Sequence, residues 1–172
     1  SGKSTILRAL AGLDEGVDGS GRITVPQRRS VLFQDSRLLP WKTVIDNVTL
    51  GLTDPGAITD ARRALEEVEL AHRMKVWPKT LSGGEQQRVA LARSLVRKPE
   101  FVLADEPFSA LDALTRLRMQ RLLLELCERH RPSVLFVTHD VEEALRLAQR
   151  VLILTDGIVS YDETIAHART SS

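Results

Sequence analysis

Apolar residues recur at helical spacing in several stretches of the chain, and these stretches predict its helices. Ile6, Leu7 and Leu10 form one face of a predicted helix that ends near Gly12, a residue type favoured at helix C-caps. Further helices are predicted by the same spacing over residues 44–52, 59–70, 82–96, 113–129 and 140–147.

Short apolar runs without polar alternation predict strands that are buried on both faces. Such runs occupy residues 31–33, 101–104 and 134–137. Residues 22–25 predict a further short strand that Pro26 stops. Residues 151–159 predict a hairpin, because Asp156-Gly157 is a favoured turn pair between two apolar runs.

The composition is that of an ordinary soluble globular protein. The chain has 172 residues, of which 42% are hydrophobic and 27% charged, so it can bury one real core. Its net charge of +1 provides no strong field for nucleic acid or an anionic membrane. The single cysteine, Cys127, cannot form an internal disulfide and is expected to be buried. Because the chain opens at Ser1 without Met and inside a motif, we expect a fragment.

The most informative stretch is residues 81–88, with the sequence LSGGEQQR. Ser82 followed by Glu85 is a capping-box pattern, which alone predicts only a helix start. Gly83 and Gly84 lack a Cβ, so their backbone N–H groups can closely approach a partner. A helix N-terminus also carries a partial positive charge. The stretch therefore predicts a phosphate-binding site.

A second phosphate motif stands at the start of the chain. Gly2-Lys3-Ser4 matches the end of the P-loop pattern G-x-x-x-x-G-K-[ST]. In that interpretation Lys3 reaches the β- and γ-phosphates, the Ser4 hydroxyl binds Mg²⁺ and Thr5 donates to a nearby phosphate. A simple helix start explains these few residues equally well.

Polar residues follow each of the three predicted buried strands. They are Gln34, the pair Asp105 and Glu106, and His139. Each is explained without function as an ordinary polar residue at a strand end. In a parallel α/β sheet, however, this edge is where ligands bind. Asp105 and Gln34 then suit Mg²⁺, Glu106 suits a role in polarising a water, and His139 suits a phosphate oxygen.

The loop Leu38-Leu39-Pro40-Trp41 combines apolar residues in a segment without helical or strand periodicity. Such residues either plug the core or form an exposed docking patch. Trp is enriched at interaction hot spots, which favours docking slightly.

Taken together, the order of these motifs resembles the ATPase subunit of an ATP-binding-cassette transporter. The resemblance covers nearly the whole chain, and LSGGEQQR is its most specific element. Carried over residue by residue, the resemblance assigns the nucleotide-binding motifs first: Walker A to Gly2, Lys3, Ser4 and Thr5, and the signature to residues 81–85 with Ser82, Gly83 and Gly84. It assigns the Q-loop to Gln34 and the D-loop to residues 109–112 with Asp112. The Walker B aspartate is Asp105, the catalytic glutamate is Glu106 and the switch histidine is His139.

This resemblance implies the fold class and the domains. The fold is expected to be α/β, with a P-loop NTPase (RecA-like) core, a mostly parallel sheet and an inserted α-helical subdomain. The N-terminal strand or strands of the core are expected to be missing. The implied division is a first core part at residues 1–34, a helical subdomain at 35–97 and a second core part at 98–172.

A narrower resemblance suggests the transported solute. Residues 34–48 and 112–116 resemble the subfamily that imports aliphatic sulfonates, taurine or nitrate, with aliphatic sulfonate as the first choice. Ala104 departs mildly from the larger aliphatic residues usual at its position. The implied activity is hydrolysis of ATP to ADP and phosphate, with Mg²⁺ as cofactor, powering import. Taurine or nitrate import, or a truncated fragment unable to hydrolyse ATP by itself, are the alternatives.

The resemblance also implies partners. Two copies would face each other head to tail, with ATP between the Walker A motif of one and the signature of the other. A transmembrane permease would dock near Leu38–Trp41, and a periplasmic or extracellular solute-binding protein would take part indirectly. The chain would then lie at the cytoplasmic face of the cell membrane, without nucleic acid.

Two rival functions have different expected features. DNA-repair or chromosome-maintenance ATPases share the signature but insert long coiled coils before it, and here that interval is compact and lacks heptads. A binding module or non-catalytic fragment is less favoured because all the later catalytic positions are present. Replacing Glu106 by Gln distinguishes an enzyme from a binder.

Overall fold

The computed structural model describes residues 2–14 and 19–165 of the chain. The last residues of the predicted second core part, 166–172, lie outside the described residues. In chain order the elements are α1 (Lys3–Ala11), β1 (Arg29–Phe33), α2 (Val44–Val48), α3 (Ala57–Glu67), α4 (Gly83–Leu95), β2 (Phe101–Asp105), α5 (Ala113–His130), β3 (Ser133–Val137), α6 (Val141–Leu147), β4 (Arg150–Thr155) and β5 (Ile158–Thr164), with short 3₁₀ helices at Ala71–Arg73 and Pro78–Thr80.

Three helix ends lie where the sequence places caps. Ser82 Oγ accepts the N–H of Glu85 at 3.2 Å, and Glu85 Oε2 accepts the N–H of Ser82 at 2.8 Å, so the predicted capping box opens α4. Asp140 caps α6 by accepting two backbone N–H groups. At the end of α1, Gly12 adopts a left-handed φ of 74°. These predictions are confirmed.

Strands β1, β2 and β3 form a parallel sheet in that order. Phe33, Asp105 and Val137 stand side by side in its last row, so the carboxyl ends of all three strands finish level. Helix α1 packs on one face through Leu7, with Leu103 in the same cluster. The other face carries a larger core that includes α4. β2 is buried as predicted, whereas β1 and β3 each have one buried residue, Leu32 and Val137, and are otherwise half-buried or exposed.

Strands β4 and β5 form a separate antiparallel hairpin. Its turn has positive φ at both central residues, 51° at Asp156 and 79° at Gly157, as a tight hairpin turn requires. The predicted hairpin is therefore confirmed. The predicted strand at residues 22–25 is wrong. In the described part of the chain this segment joins neither sheet, so its backbone forms no hydrogen-bonded pairing with another strand.

Between β1 and β2 the chain is helical, and α2, α3 and α4 share one core. Helix α2 ends at Val48, four residues earlier than predicted, and Gly51 then turns the chain with a φ of 72°. The division into segments 1–34, 35–97 and 98–172 stays a prediction. None of the helices in the described ranges is long and apolar enough to cross a membrane.

Candidate functional site

The level ends of the parallel strands bring polar side chains to one edge of the sheet. A cleft of about 620 Å³ opens there. Its lining includes Ser4 from α1, Gln34 after β1, and Asp105 and Glu106 at the end of β2. The structure thus places together four residues that the sequence distributes over more than half of the chain.

Ser4 and Asp105 are in direct contact inside this cleft. The Ser4 hydroxyl donates to Asp105 Oδ1 at 3.0 Å, although 101 positions separate the two residues. A hydroxyl, a carboxylate and the nearby amide of Gln34 are hard oxygen donors of the kind that Mg²⁺ prefers. The described ranges contain no cluster of three His, Cys, Asp or Glu residues able to hold a metal. Mg²⁺ does not need one, since it is commonly bound by one or two carboxylates together with phosphates and waters.

Glu106 and His139 form the second contact at this edge. His139 Nδ1 lies 2.7 Å from Glu106 Oε2. Glu106 has a left-handed φ of 45°, and its N–H donates to Val137 O at 2.9 Å. A non-glycine residue in this conformation needs surrounding restraints to hold it. The backbone of β3 therefore fixes the residue whose side chain meets His139.

The first turn of α1 also faces this edge through Ser4. Gly2 precedes the helix with a φ of 79°, which allows the chain to turn sharply into it. Lys3, Ser4 and Thr5 follow as the first three helical residues. Their backbone N–H groups lie at the positive end of the helix, where anions are stabilised.

The signature residues are placed differently. Ser82 and Gly84 line a second cleft, of about 560 Å³, while Gly83 lines the first. A Cβ on Gly84 would lie 2.6 Å from Thr115 Cγ2, so any larger residue would force Thr115 or the packing of α4 against α5 to shift. The sequence interpretation of Gly84 as a phosphate donor therefore missed its packing role. A Cβ on Gly83 would make only an ordinary contact, at 3.8 Å from Leu111.

Asp112 begins α5. Its side chain accepts the N–H of Thr115 at 3.0 Å, and hydrogen bonding to Thr115 lowers the pKa of its carboxyl. Its neighbours Ala110 and Leu111 line the first cleft. Asp112 thus serves as a helix cap beside the cleft.

One buried residue with direct contacts to this edge was missed from the sequence. Gln87 is 2% exposed, and its Nε2 donates to Phe33 O at 2.7 Å and to Pro107 O at 2.5 Å. The available signal was a polar residue on the buried face of α4, at helical spacing from Leu91 and Ser94. Buried amides of this kind are normally hydrogen-bonded.

A second missed residue organises the loop around Trp41. Asn47 is fully buried; its Oδ1 accepts the N–H of Leu39 at 2.7 Å, and its Nδ2 donates to the carbonyls of Leu39, Lys42 and Thr43, within the loop and just after it. Trp41 is 68% exposed on the same loop. Trp77 is 44% exposed on a segment that backbone hydrogen bonds hold beside α2.

Residues 1–109 match the family model for the ABC transporter. The chain belongs to the ABC transporter family. Aliphatic sulfonates import ATP-binding protein SsuB 2 of Rhizobium johnstonii is 67% identical over 157 residues, covering 91% of this chain and 63% of that protein. The protein of the same name from Nocardia farcinica is 65% identical, covering 94% of this chain and 68% of its own length.

A solved structure also matches this member of the ABC transporter family. An inward-facing metal-chelate type ABC transporter superposes with a TM-score of 0.84 at 28% identity, covering 95% of this chain and 68% of that one. The α/β fold class predicted from the motifs is thereby confirmed. The chain spans 63% of the length of its Rhizobium johnstonii relative.

Proposed function

We propose that this chain is the ATP-hydrolysing part of an importer for aliphatic sulfonates. One observation carries the proposal: the Ser4–Asp105 contact and the Glu106–His139 contact meet at one edge of the parallel sheet. Phosphoryl transfer to water needs positioning and charge neutralisation more than covalent chemistry. The cleft offers a metal site and a site for water activation next to each other.

The proposed binding roles follow from the donor types. Lys3 and the N–H groups of the first turn of α1 take the phosphates of ATP, with Thr5 as a further hydroxyl donor. Ser4, Asp105 and Gln34 hold Mg²⁺, which neutralises phosphate charge when bound.

The proposed chemical roles belong to Glu106 and His139. Glu106 accepts a hydrogen bond from the attacking water, orients it and takes its proton as the bond to the γ-phosphorus forms. His139, 2.7 Å from Glu106, orients that carboxylate and stabilises negative charge on the transferred group. ADP leaves as the bond from the γ-phosphorus to its bridging oxygen breaks.

We propose further that two copies act as a head-to-tail dimer. Gly83 lines the same cleft as Ser4 and Asp105, but Ser82 and Gly84 line a different one, so one copy does not bring the whole predicted signature site to the ligand of its own first cleft. In a two-fold dimer, the N-terminus of α4 from one copy can complete the cleft of the other. Asp112, exposed beside the cleft, would lie near this interface.

The loop Leu38–Trp41 is the proposed contact for transmembrane permease subunits. Trp41 is 68% exposed, and Asn47 fixes the loop that carries it, so the aromatic side chain is presented on a rigid support. A solute-binding protein outside the membrane would act through the permease. This arrangement puts the chain at the cytoplasmic face of the cell membrane.

The choice of aliphatic sulfonates rests on the names of the relatives. Taurine or nitrate import remains the alternative, because the solute does not contact an ATPase subunit in this proposal. Measuring sulfonate-dependent growth and ATP hydrolysis of the assembled transporter distinguishes these solutes. Activity that responds to taurine or nitrate and not to an alkanesulfonate would replace the first choice.

Titration calorimetry with ATP tests the proposed nucleotide site. It is done with Mg²⁺ and with EDTA, on this chain and on the protein at the full length of its relatives. Binding by both would show that Gly2–Thr5 suffices as a phosphate cradle. Binding by only the longer protein would assign the activity to the whole protein and leave this chain as an inactive fragment. Binding by neither would contradict the site.

A further inference from the structure

We propose that Gln87 is a positioning residue for ATP hydrolysis: its buried side-chain amide fixes the backbone that presents Gln34 relative to the backbone that presents Glu106. The proposal rests on the proposed function. It concerns a residue that does not itself need to touch ATP.

The geometry of Gln87 uses both N–H bonds of one amide. Its Nε2 donates to Phe33 O at 2.7 Å and to Pro107 O at 2.5 Å. Phe33 immediately precedes Gln34, and Pro107 immediately follows Glu106. The first acceptor belongs to the peptide group that joins Phe33 to the proposed Mg²⁺ ligand, and the second belongs to the residue that follows the proposed water-activating residue. A primary amide has two N–H donors, so it can make both bonds at once.

Burial makes this connection stiff. Gln87 is 2% exposed, so water cannot easily replace either partner. Removing this donor takes a buried hydrogen bond from each of the two carbonyls and frees the two backbone segments to move relative to each other. A shift of the order of 1 Å in a catalytic group can lower turnover by about 100-fold.

The same helix provides a matched control. Ser94, also on α4 and 4% exposed, shares a hydrogen bond of 2.5 Å with Ser30 in β1. Ser30 lies near the start of β1, away from the edge where Gln34 emerges. Both side chains therefore attach α4 to the sheet, but only Gln87 does so at the cleft.

Gln87 also links the cleft to the signature helix. It lies on the second turn of α4, whose first residues, Gly83 and Gly84, follow the capping residue Ser82. A displacement of this helix end would therefore be passed to Phe33 and Pro107 by the side chain of Gln87. This connects the signature of one copy to the Gln34 and Glu106 of the same copy.

The experiment compares Gln87→Met and Ser94→Ala in the protein at the full length of its relatives. Met keeps the length of the side chain and removes the donors. Turnover is measured at saturating Mg²⁺-ATP and expressed per nucleotide-binding site determined by calorimetry, so unfolded molecules do not count. We expect kcat of Gln87→Met to fall by about 10- to 100-fold with KM within about twofold of wild type. Ser94→Ala should keep kcat within about twofold.

Several results would overturn the proposal. An unchanged kcat for Gln87→Met would do so, as would a rise in KM alone or an equal loss in Ser94→Ala, which would show general loosening of α4. If Gln87→Met does not bind nucleotide, Gln87→Asn, which keeps the amide on a shorter arm, is judged by the same criteria. A wild-type protein without ATPase activity would instead refute the proposed function, and the role of Gln87 with it.

Discussion

His139 Nδ1 lies 2.7 Å from Glu106 Oε2, and the two residues come from the ends of neighbouring parallel strands. A second His–Glu contact of the same length joins His130 Nε2 to Glu67 Oε2, between α5 and α3. The two pairs have similar chemistry and different places in the fold. Comparing variants of the two pairs therefore shows whether an effect on turnover depends on the position of the pair at the sheet edge or on any His–Glu contact.

Replacing His139 by Ala is expected to lower kcat by about 10²- to 10⁴-fold, because the Glu106 carboxylate loses the side chain that orients it. His130→Ala is the control and should keep full turnover.

Glu106→Gln should bind ATP and largely stop turning over. ATPase assays on the three variants at the full length of the relatives provide the check, and unchanged turnover in Glu106→Gln would remove the role given to that residue.

Gly84→Ala should destabilise the fold by about 1–3 kcal/mol, because the new Cβ would lie 2.6 Å from Thr115 Cγ2. Gly83→Ala meets Leu111 only at 3.8 Å and should be neutral or slightly stabilising. Urea denaturation measures both. Thr115→Ser removes the clashing methyl group and should restore much of the stability lost in Gly84→Ala. No recovery in that double variant would show that something other than this contact requires glycine.

Glu85→Gln should make the stability of the protein less dependent on pH. The hydrogen bond from the Ser82 N–H, helped by Arg73 and Arg88, lowers the pKa of the Glu85 carboxyl. A lowered folded-state pKa adds stability above the unfolded value of about 4.3, and this is lost as pH falls through the folded value. At pH 7 the free energy of unfolding of the wild type should exceed that of the variant by less than about 1 kcal/mol.

Denaturation at pH 7 and at about pH 3 checks this sign, since both values lie clearly on either side of an ordinary carboxyl pKa. The difference in the free energy of unfolding between wild type and Glu85→Gln should be smaller at the lower pH. A difference that grew on acidification would mean that the carboxylate is destabilised in the fold.

Trp41→Ala should leave stability within about 0.5 kcal/mol of wild type, because the side chain is mostly exposed. It should weaken capture by the permease about tenfold or more, as loss of a hot-spot aromatic does. Ile58→Ala, at a 48% exposed apolar residue of α3, is the matched control. Binding is measured with detergent-solubilised permease. Equal effects of the two substitutions would argue against a docking role for Trp41.

The local features of the fold were predictable because neighbouring residues encode them. The capping box at Ser82, the left-handed Gly12 and the Asp156-Gly157 turn each depend on a few adjacent positions. The strand predicted at residues 22–25 failed because pairing depends on a partner elsewhere in the chain. A short apolar run does not show whether such a partner is present.

The site also combines features that adjacent residues encode with features that depend on distant parts of the chain. The residue types of Asp105 and Glu106, after a buried strand, predicted carboxylates at the edge of the sheet, and both residues line the cleft there. The role of Gln87 depends on carbonyls of Phe33 and Pro107, which only the packing of α4 brings within reach. The ligand role of Gly84 stays a prediction, and its close packing against Thr115, which lies on another helix, could not be seen in the sequence.

The level row formed by Phe33, Asp105 and Val137 limits how the length of this chain can vary. One residue inserted into β1, β2 or β3 would advance the following segment by about 3.3 Å and turn its side chains to the opposite face. Gln34, Glu106 or His139 would then lose its position at the carboxyl edge of the sheet. The connections between these strands are free of that constraint, so insertions and deletions should be tolerated in loops and rejected within the three strands.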